Sequence, residues 1–284
     1  MKSNMTLIYL LIGIALLTYV GMPLLIKNTL RIRARPAMSP ATPTHFDESV
    51  QQFFAASAAR LATLRFEQAA VFTIEQATPG VTSHVALWLN RGAGQAAAVN
   101  VMISRGGDKP NRLKRYVEFL TRVQEGVSVT TNNSSNLGAF KKTRGCDSLS
   151  AQHLHDLTHL YRLHLWREEK FAGKSAPRCL PAPGSEVSWF ADLFEESIKR
   201  QLDTGYLQYT GGDVYVPTLP GAYFMTWAEL PPMKPLRRSA EDSRAEAQVC
   251  QAADIPFAPP ANVRVITETP PGGGHNTPPM RKVA

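Results

Sequence analysis

The sequence predicts an α+β fold: a single N-terminal transmembrane helix, then an antiparallel meander sheet covered by helices. Three observations carry that reading. Residues 6–26, TLIYLLIGIALLTYVGMPLLI, hold no charge. Between residues 85 and 131 apolar residues alternate with their neighbours, and short glycine turns separate the runs. On both sides of that region apolar residues recur at spacings of three and four, the mark of an amphipathic helix.

As a helix, residues 6–26 would be about 31 Å long, enough to cross a hydrocarbon core of about 30 Å. The segment is too long for the apolar core of a cleaved signal peptide, and no small-residue cleavage site follows it. The basic residues Lys27, Arg31, Arg33 and Arg35 come next, against Lys2 alone on the other side. Positive flanks stay in the cytoplasm. The expectation is therefore a cell (inner) membrane protein held in the lipid bilayer through Thr6 to Ile26, with residues 1–5 outside and the large domain in the cytoplasm. Cys146, Cys179 and Cys250 are odd in number and widely spaced. That pattern suits reduced thiols better than a disulfide framework.

Residues 27–46 read as a basic, proline-containing tether, with Pro36, Pro40 and Pro43 excluding a continuous helix. An α+β domain over 47–253 follows. Phe46, Val50, Phe53, Phe54, Leu61 and Leu64 predict an amphipathic helix over 47–64. Residues 66–74 read as a strand. Val85, Leu87 and Leu89 form the next run, then Val99, Val101 and Ile103, then Val117, Phe119 and Val123, then Val127 and Val129. Turns around Gly92 and Gly94, at 105–108 and around Gly126 make these neighbours in a meander. The apolar face needs a cover. Helices over 149–171 and 188–203 supply it, and Gly205 stands where the second should stop. A hairpin over 205–217 and a last helix over 239–253 complete the domain. Residues 254–284, rich in Pro and Gly, read as a disordered tail.

Several stretches together resemble a family of uncharacterised bacterial single-pass membrane proteins. They are YVEFLTRVQEGVSVTTNNS at 116–134, LYRLH at 160–164, GDVYVPTLPGAYFMTW at 212–227 and LRR at 236–238. The resemblance spans roughly 45–240. Its most specific part is Glu118-Phe119-x-Thr121, Gly126 and Thr131-Asn-Asn-Ser134. The family has no assigned activity, so the resemblance implies architecture and location only.

No motif for catalysis stands out: no GxSxG elbow, no phosphate loop, no GxGxxG after a strand. His155 and His159 would share a helix face, yet no third ligand lies at a useful offset, so neither metal nor cofactor is expected. His164 falls on the apolar side of its helix. If the polar run after residue 130 folds back, Glu118, Asn132 and His164 could form a polar pocket. A second candidate is a membrane-surface contact. Tyr223, Phe224 and Trp227 crowd together, and Lys234, Arg237 and Arg238 follow them, rings for the headgroup level and cations for anionic lipid.

A net charge of +8 suits an anionic partner. The leading expectation is a non-enzymatic, membrane-anchored domain that binds an anionic lipid surface or a protein partner. An alternative is a tethered winged-helix regulator, because helix 188–203 and the hairpin after it resemble the end of that fold. The helix carries Asp192, Glu195, Glu196 and Asp203 against Lys199 and Arg200, which argues against nucleic acid. An enzyme of unknown type is the further alternative.

Overall fold

A computed structural model describes residues 2–78, 80–106, 109–124, 126–138, 140–173, 176–253 and 263–268. The chain opens with α1 (Lys2–Leu16), a π-helical turn (Leu17–Gly21) and α2 (Met22–Thr29). The wide turn has a cause in the sequence. Pro23 carries no N–H and its ring crowds the carbonyl one turn earlier, that of Tyr19. The π-turn gives the ring room, and Pro23 has no N–H to offer Tyr19 O, its partner in a regular α-helix. Met5–Thr29 is one apolar helix of 25 residues, long and apolar enough to cross a membrane, as a signal sequence can also be.

The chain continues through β1 (Ile32–Arg33), β2 (Met38–Pro40), α3 (Glu48–Thr63), β3 (Glu67–Thr78), β4 (Val81–Asn90), β5 (Gln95–Gly106), β6 (Lys109–Arg122), β7 (Ser128–Asn132) and β8 (Cys146–Ser150). Then come α4 (Leu157–Phe171), β9 (Arg178–Pro181), α5 (Glu186–Asp203), β10 (Leu207–Gly211), β11 (Val214–Pro217), α6 (Leu219–Glu229), α7 (Met233–Ala253) and β12 (Val265–Glu268).

Strands β2 to β8 form one seven-stranded sheet in sequence order. Every neighbouring pair is antiparallel except β7 and β8, which run parallel. Alternation places Trp88, Val99, Val117 and Phe119 on one face, under α3 and α4. Leu87, Leu89, Ala96 and Ala98 lie on the other, under α5. Helix α7 runs along the β8 edge. Arg244 donates to Ser148 O at 3.1 Å, and Ser150 N donates to Glu241 Oε1 at 3.2 Å. Side chains of α7 thus satisfy backbone groups that the sheet's last strand leaves unpaired.

The fold class is the expected one, and four local features differ. Residues 146–150 form β8, and the helix expected from 149 starts at Leu157, where Asp156 caps it by accepting from Thr158 N and His159 N. The basic segment is no free tether. Ile32 and Ala34 are buried between outward arginines, and β1 pairs with β11. The last helix begins at Met233, six residues earlier than expected, and α6 precedes it across Pro231 and Pro232. Within the tail, β12 pairs parallel with β9, and Glu268 accepts from Trp189 Nε1 at 2.8 Å. The rest of the tail and part of the 105–108 turn lie outside the described residues.

Candidate functional site

The second face of the sheet carries a cavity of about 660 Å³ beneath α5 and α7. Strand register builds its floor. Glu118 pairs with Ala98 on one side and Asn132 on the other, and Asn132 with Ser150. One row along, Ala96, Leu120, Thr130 and Ser148 stand side by side. The next row holds Arg122, Ser128 and Cys146. The floor is therefore apolar over β4 and β5 and polar over β7 and β8. The two alanines keep it low, so Phe190, Leu193 and Phe194 of α5 roof a space instead of filling it.

Glu118 stands at the boundary of the two halves. Burial pushes its carboxyl up to about 7, against the pull of a hydrogen bond from Asn132. Arg200 is held by Glu196 at 2.6 Å and by the carbonyl of Gly126. Among the described residues its Nη1 atom is buried without a hydrogen-bond partner, and so is Oε1 of Gln201, a residue only 3 % exposed. Among the described residues no hydroxyl or thiol lining this cavity is bonded to a histidine.

Of the three residues expected to share a polar pocket, Glu118 and Asn132 are cross-strand neighbours here. His164 lies on the opposite face, stacked on Phe119 with ring centres 5.9 Å apart. Its surroundings form a second, closed polar network. Thr121 Oγ1 donates to Glu168 Oε2 at 3.1 Å and so accepts from His164 Nε2 at 3.0 Å. Thr131 Oγ1 accepts from Arg167 Nη1 at 2.6 Å and donates to His164 Nδ1 at 3.1 Å. These partners assign a neutral imidazole protonated on Nε2. Burial, then Arg167 and Arg178, hold its pKa well below the ordinary 6.5. Arg178 Nε reaches Glu168 Oε1 at 2.6 Å, and Gln95 donates to the same carboxylate. Every member meets protein on all sides, so this network orders the core beneath α4.

The residues expected at a membrane surface divide. Helix α6 lies along α2. Trp227 Nε1 donates to Tyr19 O at 3.1 Å, the carbonyl that Pro23 leaves free, and the Tyr19 hydroxyl donates to Pro231 O. Tyr223 stacks edge-on with Trp227 at 5.2 Å, and Trp227 is 44 % exposed. Phe224 turns inward to Tyr206, and Arg237 sits 5.5 Å over its ring while donating to Ala228 O and Gly138 O. Arg238 pairs with Asp242 at 3.0 Å, and exposed Lys234 with Glu229 at 2.8 Å. Helix α5, the reading helix of the winged-helix alternative, buries Trp189 against the sheet. Its acids pair with Arg35, Arg122, Lys199 and Arg200.

Sequence reasoning missed the cavity, though Ala96 and Ala98 beside polar β7 and β8 were its signal. Among the described residues no three His, Cys, Asp or Glu side chains gather as a metal site. Comparison with protein-family models, with curated proteins and with solved structures gives no match.

Proposed function

We propose that the chain is a single-pass protein of the cell membrane, N-terminus outside and α+β domain in the cytoplasm, and that this domain is a non-enzymatic binding module seated in the lipid surface through α6. The observation that carries the reading is α6 fastened along the apolar helix at Tyr19. From Met5 to Leu17, before α6 begins, the helix is about 18 Å long, and a hydrocarbon core is about 30 Å thick. Crossing the layer requires the turns from Tyr19 to Ile26 as well, and α6 lies beside those turns. Exposed Leu219, Trp227, Met233 and Leu236 suit lipid contact at that depth. A tryptophan that supplies the hydrogen bond missing at Pro23 is what a non-aqueous medium demands. The cations after the helix set the orientation. The resemblance at 116–134 and 212–227 to bacterial single-pass proteins supports the same location.

The test is depth. The full chain is reconstituted into vesicles whose acyl chains carry bromine near the headgroup, and tryptophan fluorescence is compared with that of Trp227→Phe. Quenching in the wild type that the variant loses is the expected result. Equal quenching in the two proteins overturns the seated domain. A reporter fused after Ala284 that is active only outside the cytoplasm overturns the orientation.

A further inference from the structure

We propose that the cavity between the sheet and helices α5 and α7 binds a single-chain anionic amphiphile, with its headgroup over β7 and β8 and its acyl chain over β4 to β6. The inference rests on the seated-domain reading only for the source of the ligand, since the cavity's own chemistry names the class.

The volume, about 660 Å³, lies in the usual range for small-molecule sites. Polarity runs in one direction across the sheet. Leu87, Ala96 and Ala98 give way to Thr130, Asn132 and Ser148, over a width of about 19 Å from β4 to β8 at strand spacing. That gradient matches a molecule with one apolar and one polar end.

Charge picks the sign of the polar end. Lys141, Lys142, Arg200, Arg237 and Arg244 stand around the polar half. Glu241 pairs with Lys142 and Arg244, and Glu196 with Arg122 and Arg200, so each carboxylate faces two cations and the lining keeps a positive excess, to which Lys141 and Arg237 add. Arg237 meets two carbonyls and a ring and, among the described residues, forms no carboxylate pair. Glu118, pushed up to about 7 by burial, carries only part of a negative charge near neutral pH.

The polar end also adjoins the membrane-side helices. Arg237 reaches Ala228 of α6, and Phe140, at the cavity wall, packs in the same cluster as Ile26 and Leu30.

The experiment uses the full chain in nanodiscs of zwitterionic phospholipid. Three photoreactive probes with the same acyl chain are added: a fatty acid, a lysophosphatidate and an uncharged monoacylglycerol. Adducts are mapped by peptide. The two anionic probes are expected to label residues 190–201 and 136–143, while the neutral probe labels only the apolar helix and α6. A stronger signal from the lysophosphatidate assigns a phosphate headgroup, and from the fatty acid a carboxylate. Lys141→Ala, at an exposed position, should lower cavity adducts about fivefold, the share of one surface cation, and leave labelling of the apolar helix unchanged. Absence of cavity adducts while the apolar helix is labelled overturns the proposal, as does equal cavity labelling by the neutral probe. Trp227 quenching is measured on the same nanodiscs with brominated lipid, so failure of the seated domain registers separately.

Discussion

Glu118→Gln should stabilise the protein, and more so as pH rises. The carboxyl pairs across strands with Ala98 and Asn132 and is pushed from 4.5 up to about 7, first by burial. Between those two values the folded protein keeps a proton that the unfolded chain has released. Wild-type stability therefore falls as pH climbs through that window and levels off above it. At roughly 1.4 kcal/mol per pH unit the full interval is worth about 3 kcal/mol, and cavity water reduces that to about 1–3. Glutamine keeps the shape and the hydrogen-bonding partner without the charge. Thermal unfolding of both proteins in nonionic detergent between pH 5 and 8 would measure the gap. For a domain of this size about 1–3 kcal/mol is a rise of roughly 2–12 °C in Tm at pH 8, shrinking toward pH 5. A gap independent of pH, or one that narrows as pH rises, would refute the burial argument.

His164 should give the opposite slope. Its pKa is held below 6.5 by burial and two arginines, so the wild type loses stability as pH drops beneath 6.5, and His164→Gln should lack that component in the same melts. Glu168→Ala leaves Arg178 buried and unpaired, which should cost about 3–5 kcal/mol in a denaturant titration. The double change Glu168→Met with Arg178→Met should cost less than the single one, and a larger loss would show that the pair is more than self-compensating. Gly221→Ala should lower Tm, because an added Cβ would lie 2.0 Å from Tyr206 O at the start of α6. A displacement of α6 of that kind costs about 1–3 kcal/mol.

The meander was legible because its strands obey one rule over long runs. Val99 and Val101 face the core beside Val117 and Phe119, and period two marks each of them. Strand β8 was not legible. Its sequence, CDSLS, puts one apolar residue toward the core and turns Cys146, Ser148 and Ser150 to the cavity. Leu149 instead joined the later leucines in an apparent helix, and only the Asp156 cap marks the true start. The alternation of Ile32 and Ala34 with Arg31, Arg33 and Arg35 was present but was read as charge. In the tail, the β-branched run around Val265 was masked by its prolines and glycines. Glu118 and Asn132 are neighbours because the short turn at Gly126 brings β6 and β7 into register. His164 went to the wrong side because sequence gives no sign of which sheet face a distant helix covers.

The bond between Trp227 and Tyr19 joins residues 208 positions apart. A ribosome adds roughly 5–20 residues per second, so the indole emerges about 10–40 s after the carbonyl it serves. Through that interval Tyr19 O lacks both the N–H that Pro23 cannot supply and the indole that later meets it. Another donor, such as water, has to meet Tyr19 O until α6 arrives and displaces it. A break in the helix at Pro23 is thus completed by a side chain from α6, 208 positions further along the chain.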